Sequence, residues 1–234
     1  MLISFSAFAG PPFLTDDLNY PLEHQFQVYL FSMTADYSGN DNLRVPATEL
    51  KWGLTPDIEL KFLLPYITNI DVGKSAVSGF GDMAVGLGYR FHEETEYTPG
   101  IGFIPQVTIP TADSNNGIGN GKPITQLPVW FQKSIGDWMI DTGGGYNINH
   151  QAQKSSNAFG GFLLQNQITP KLRLGGEIYY QGKQSNSRLA YTVLNLGVTY
   201  RIVPSLSLML SAGNSIAGQQ NFISYLGIRW SSSV

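Results

Sequence analysis

The stretch Thr48-Glu49-Leu50-Lys51-Trp52-Gly53-Leu54-Thr55-Pro56-Asp57-Ile58-Glu59-Leu60-Lys61-Phe62-Leu63-Leu64 is a hairpin written in alternating chemistry. Ahead of the turn at 54–57, Thr48, Leu50 and Trp52 alternate with Glu49 and Lys51. Behind it, Ile58, Leu60, Phe62, Leu64 and Tyr66 alternate with Glu59, Lys61 and Leu63. Side chains of a strand point to opposite faces in turn, so each arm has one apolar and one mostly polar face. If Gly53 faces Asp57, then Lys51 faces Glu59 and Glu49 faces Lys61. Opposite charges across a ladder favour that register.

The same rhythm runs outward in both directions. Short turns fall near residues 92–97, 134–137, 169–171 and 203–205. Longer stretches rich in Gly, Asn and Ser fall at 35–44, 69–80, 111–122, 149–156, 182–188 and 215–221. Short and long connections therefore alternate along about twelve strands, from near His24 to near Trp230. That is the pattern of a closed antiparallel up-and-down transmembrane β-barrel, all-β, with short periplasmic turns and longer extracellular loops. Pro105, Pro110 and Pro128 lack a ladder donor and mark bends in the wall. Proline-flanked strands around 111–122 could fold that loop into the lumen.

Composition agrees. Only 13% of the 234 residues are charged, net charge is −3, and mean hydropathy is near zero. A soluble surface usually carries more charge. No apolar run reaches the length of a membrane-spanning helix, which does not bear on strands that alternate. With no cysteine there is no disulfide framework and no thiolate metal site. Residues 1–10 are small and apolar, and Ala7-Phe8-Ala9 has the small-x-small form of a signal-peptide end. They read as a residual signal-like segment or an apolar terminus. Residues 11–23 read as a periplasmic N-terminal segment that, with Asp16 and Asp17, occupies or borders the periplasmic mouth. Residues 24–234 form the barrel.

Aromatic placement puts lipid outside. On the apolar parity, Trp52, Trp138, Tyr200 and Trp230 sit near short turns or the C-terminus. Tyr66, Tyr146, Tyr180 and Phe222 sit at the long-loop ends. Two such belts are expected of membrane-interface aromatics. The polar parity supplies the expected pore lining: Glu49, Lys51, Glu59, Lys61, Asp82, Arg90, Gln106, Asp141, Arg173, Glu177, Arg201 and Arg229. Inward glycines such as Gly86, Gly88, Gly143 and Gly145 relieve crowding where the sheet curves. The competing reading is a soluble lipocalin-type barrel. Those close about eight strands over an apolar interior, and twelve would leave a void.

Four blocks carry a family likeness: Pro12-Phe13-Leu14-Thr15-Asp16-Asp17; residues 80–91, Phe-Gly-Asp-Met-Ala-Val-Gly-Leu-Gly-Tyr-Arg-Phe; residues 105–113 with the Gly117-Ile118-Gly119-Asn120-Gly121 loop; and residues 163–179. Together they resemble the outer-membrane β-barrel family named for the MetA-pathway of phenol degradation. The chain departs from the family's usual Asp-Asp-Pro by having Leu18. The resemblance covers nearly the whole chain. It implies an outer-membrane barrel with a transport role, and it brings no catalytic residues.

Other chemistry has little purchase. His24, His92 and His150 are dispersed, and none shares a strand face with a serine as a triad would need. Three scattered histidines make a zinc site improbable. Residues 117–122 lack phosphate-loop spacing and have no helix behind them. The acidic stretch from Asp113 lacks the bidentate acid of a calcium loop, since Ile124 stands there.

No catalytic, metal or cofactor group is expected. The expected partners are membrane lipid, a small solute and the outer-membrane assembly machinery, with no nucleic acid. Twelve strands tilted at about 40° give a backbone diameter of about 24 Å and a lumen of order 10 Å. The expected function is passive or facilitated passage of a small solute, hydrophobic and aromatic compounds included. Mixed lining charge argues against strong ion selectivity. The alternatives are a closed structural or surface-interaction barrel, whose interior charges pair off, and, last, an outer-membrane lipid hydrolase.

Overall fold

The computed structural model describes residues 10–37, 41–71, 77–115, 118–151, 154–219 and 221–232. The strands are β1 (Phe26–Tyr37), β2 (Asp41–Thr55), β3 (Ile58–Asp71), β4 (Val77–Phe80), β5 (Met83–His92), β6 (Gly100–Phe103) and β7 (Gln106–Ile109). They continue as β8 (Ile124–Ile135), β9 (Trp138–Asn149), β10 (Asn157–Thr169), β11 (Leu172–Gln181), β12 (Tyr191–Val203), β13 (Leu206–Gly218) and β14 (Asn221–Ser231). β4 and β5 both pair with β3 and are one stave broken at Gly81-Asp82. β6 and β7 both pair with β8 and are one stave broken at Ile104-Pro105. The result is a closed barrel of twelve antiparallel staves, sealed where β1 pairs with β14. Closure removes every sheet edge, which a lipid-embedded strand requires.

Proline explains part of the broken stave. Pro105 cannot donate, but its carbonyl accepts the Leu87 N–H, and the Ile104 N–H reaches the Pro128 carbonyl. The ladder is rerouted rather than lost. Parts of three stretches expected as loops are strand, and in one of them β3 runs to Asp71 with β4 beginning at Val77. β1 runs to Tyr37 with β2 beginning at Asp41, and β13 runs to Gly218 with β14 beginning at Asn221. Small polar residues at 35–37, 41–44, 215, 217–218 and 221 look like loop, but ladder bonds to neighbouring strands outweigh their weak strand propensity.

The decisive parity holds. Glu59, Lys61 and Leu63 are buried inside, whereas Leu64 and Tyr66 are each 40% exposed on the outer face and Leu60 and Phe62 are half-exposed beside them. The outer wall continues as Leu87, Phe131, Phe162, Ile178, Leu194, Leu210 and Leu226, all exposed. A contiguous apolar belt of this extent suits hydrocarbon, not water.

The register of the first hairpin differs from expectation. A bulge between Gly53 and Thr55 sets Gly53 opposite Glu59, Lys51 opposite Lys61, and Glu49 opposite Leu63. Two lysines thus face each other. The arrangement is tolerated because carboxylates interleave: Glu49 lies 3.9 Å from Lys51, and Glu59 lies 3.4 Å from Lys61.

Candidate functional site: a barrel lumen filled by the N-terminal segment

Before β1 the chain enters the barrel. The Pro21 and Leu22 carbonyls lie against Gly53 at the short-turn end, and Tyr20 and Leu18 pack over Gly88 and Gly102. Thr15 and Phe13 stand farther up, against Gly161 and against Gly175 and Gly197. Within this segment, expected to occupy or border the mouth, Phe13, Thr15, Asp16 and Leu18 are buried. Glycine is required by this close approach. A Cβ at 175 would stand 2.6 Å from the Phe13 ring, and one at 197 would stand 2.7 Å from it. The signal-like residues 1–9 lie outside the described residues.

Wall side chains hold the segment. The Leu14 N–H donates to Glu177 Oε1 and Oε2 at 2.8 and 2.9 Å, and the Thr15 N–H donates to Oε2 at 2.8 Å. Asn195 fixes the same carboxylate through Nδ2 at 2.8 Å. Lys61 Nζ meets Asp16 Oδ2 at 2.6 Å, the Leu18 N–H donates to Gln132 Oε1, and Ser211 Oγ donates to the Pro12 carbonyl. A segment with no ladder partner needs such acceptors when its backbone is buried. Burial, with the nearby Glu59 and Asp16 carboxylates, pushes the Tyr20 hydroxyl well above its ordinary range, so it stays neutral. Arg90 lies over the Tyr20 ring, 5.7 Å from its centre.

The expected lining residues fall into groups. Glu49, Lys51, Glu59 and Lys61 form one buried ionic cluster beside Asp16. Glu177 holds the inserted segment. Asp141 is buried and accepts from Gln165 at 3.4 Å. Gln106 faces Gly86 on the inward parity. Arg90 serves the rim, donating to Asp57 Oδ1 and the Pro56 carbonyl. Asp82 anchors the 111–122 loop, accepting from the Ala112 N–H at 2.9 Å and the Asn120 N–H at 2.5 Å. With Ile118 buried among Met33, Leu63 and Ile67, that loop folds inward. Arg173, Arg201 and Arg229 gather around a cavity at the short-turn end.

The aromatics Tyr66, Trp138, Tyr146, Tyr180, Tyr200, Phe222 and Trp230 are exposed on the outer face. Trp52 is half-exposed there and stacks on Phe26 at 5.6 Å.

Sequence reasoning missed the apolar half of the interior. Tyr29, Phe31, Met33, Met209 and Tyr225 form one buried cluster, and Trp130, Phe159, Tyr179, Val193 and Ile223 form another. Leu14 of the inserted segment touches both. Phe31 stacks on Tyr225 at 5.0 Å, and Phe159 lies 6.4 Å from both Trp130 and Tyr179. Their parity is inward, and strict parity counting would have found them. Toward the long loops, an amide ladder crosses four staves: Gln126 donates to Asn147, Asn147 to Asn157, and Gln181 to Asn157. The histidines lie apart: His24 is exposed before β1, His92 ends β5 and meets Thr98 of the following turn, and His150 is in a loop.

A twelve-stave closed barrel with an apolar outer belt and a polar and aromatic interior is an outer-membrane β-barrel. Residues 13–230 match the model of the family described as "Putative MetA-pathway of phenol degradation", and the chain belongs to that family. No curated protein matches it. Among solved structures it is similar to the COG4313 outer membrane channel from Pseudomonas putida F1. The TM-score there is 0.72 at 16% identity, over 93% of this chain and 99% of that one. It is also similar to the KdgM porin in complex with disordered oligogalacturonate, at TM-score 0.59 and 9% identity over 88% and 99%. The translocator domain of autotransporter NalP from Neisseria meningitidis follows at TM-score 0.57 and 11% identity, over 91% and 90%. At these identities the likeness is one of fold.

Proposed function

We propose that this barrel is a passage for a small solute across the outer membrane, held shut by its own N-terminal segment. The observation that carries the reading is how the segment is held. Hydrogen bonds and one close ion pair fix it to the wall, with no strand pairing, so it can shift without unzipping the sheet. Passage rather than catalysis fits the dispersed histidines and the channel-like relatives. The aromatic residues facing the lumen favour an apolar or aromatic solute, because their ring faces offer contact that water does not. The belts of outward aromatics act as membrane-interface anchors, and membrane lipid and the barrel-assembly machinery are the partners.

One observation favours the second reading, a closed barrel of structural or surface role. The pocket beside Leu14 and Tyr225 holds only about 10 Å³. Proteoliposome swelling separates the two. Passage predicts swelling with small aromatic or apolar solutes that increases when residues 10–20 are loosened. A closed barrel predicts none in either case.

A further inference from the structure

At the short-turn end the inserted segment borders a pocket in the lumen, and Gly10, Pro11, Asp17 and Asn19 line it. This cavity of about 180 Å³ carries Lys171, Arg173, Arg201 and Arg229 on its wall. Among its described lining residues the single carboxylate is Asp17. The cations come from adjoining staves. Arg173 faces Thr199 across β11 and β12, Arg201 faces Ser207 across β12 and β13, and Ser207 faces Arg229 across β13 and β14. Facing residues in a sheet stand about 5 Å apart, so long side chains two staves apart can reach one small ligand. Two of the guanidinium groups are positioned: Arg173 Nε donates to Gln167 Oε1 at 3.0 Å, and Arg229 Nη2 lies 3.4 Å from Ser207 Oγ.

The contrast with the neighbouring ionic cluster, whose Lys51 lies 5.5 Å from the centre of the cavity-lining Tyr29 ring, carries the inference. There Lys51 and Lys61 lie within ion-pair distance of Glu49, Glu59 and Asp16. Among the described residues, no carboxylate comes that close to Lys171, Arg173, Arg201 or Arg229. Four like charges gathered in a partly enclosed space repel, and an anion relieves that cost. The planar fork of arginine matches the paired oxygens of a carboxylate or phosphate.

We propose that this cavity is an oxyanion-binding site for a small carboxylate or phosphate solute on the short-turn side of the segment. Lining charge that looked mixed along the sequence is therefore sorted in space, with the basic part free to attract a diffusing anion into the mouth. The site concerns binding, and it stands whether or not passage follows.

Calorimetry on the full chain folded in detergent tests it, with inorganic phosphate and succinate as probes in a chloride background. Both are expected to bind, and rising salt should weaken them. R173Q/R229Q should weaken both at least tenfold. R201Q, at an exposed side chain whose loss leaves the wall intact, should weaken them severalfold. Heat-modifiable electrophoretic mobility confirms that each variant is folded. No binding above the chloride background overturns the proposal. So does binding that both R173Q/R229Q and R201Q leave unchanged. Proteoliposome swelling reads passage separately, so failure of one claim is not failure of the other.

Discussion

Lys61 Nζ lies 2.6 Å from Asp16 Oδ2, joining the middle of a wall stave to a segment outside the sheet. Both side chains are more than nine-tenths buried. Removing either partner leaves a buried charge poorly compensated, at a cost of about 3–5 kcal/mol. D16N and K61Q should each lower unfolding free energy in urea by about that amount. The double variant should cost less than the sum, because each single change already breaks the same pair. Strict additivity would show that the pair is not coupled.

Glu177 takes three backbone hydrogen bonds from Leu14 and Thr15. E177Q keeps the shape and removes the charge. Hydrogen bonds to charged groups contribute about 1.5–3 kcal/mol against about 1 for neutral ones. Amide exchange at Leu14 and Thr15 should therefore quicken about tenfold or more, while exchange in β11 changes little. Mass-resolved hydrogen exchange reads both.

Asp82 holds the 111–122 loop through the Ala112 and Asn120 amides. D82A should release that loop without unfolding the barrel. Proteinase K should then cut within 111–122 at least tenfold faster, with the other loops unaffected. Equal cutting rates would mean that the buried Ile118 alone fixes the loop.

Lys154, in the loop before β10, has its pKa lowered from 10.5 to about 8, first by desolvation and second by Arg188. The folded state disfavours the charged form. The penalty is present below pH 8 and is relieved as pH rises from about 8 toward 10.5, so the local fold becomes more stable over that window. Carbon-13 NMR of the dimethylated lysines should show one resonance titrating near pH 8. R188Q should move it only part of the way up, because desolvation remains.

Much of the barrel is legible in the sequence because the period of two is a property of the strand itself. Leu60 against Glu59 and Lys61 needs no tertiary knowledge. The inserted segment is different. Phe13, Leu14 and Thr15 have no period, and their position is set by Glu177 and Asn195, far along the chain. The one trace they leave is negative: Gly161, Gly175 and Gly197 spare the space that Phe13 and Thr15 occupy. The hairpin register was illegible for a related reason, since the bulge at Gly53–Thr55 answers to curvature and charge clustering, not to the pairing of Lys51 with Glu59. The basic cavity hides because Arg173, Arg201 and Arg229 are distant in sequence and become neighbours only through the β11–β12 ladder and through β13.

The central claim is that residues 10–20 bar the lumen and must move for a solute to cross. The chain has no cysteine, and a Cβ at 161 would stand 3.1 Å from the Thr15 Cβ, a little under the roughly 3.5–4.5 Å that a disulfide spans, so a small shift of the segment brings the pair into range. Solute flux through T15C/G161C in proteoliposomes, measured oxidised and then reduced, tests the claim. The account predicts that flux is lost on oxidation and restored by reductant. Equal flux in the two states, with the disulfide confirmed by mass, would contradict it.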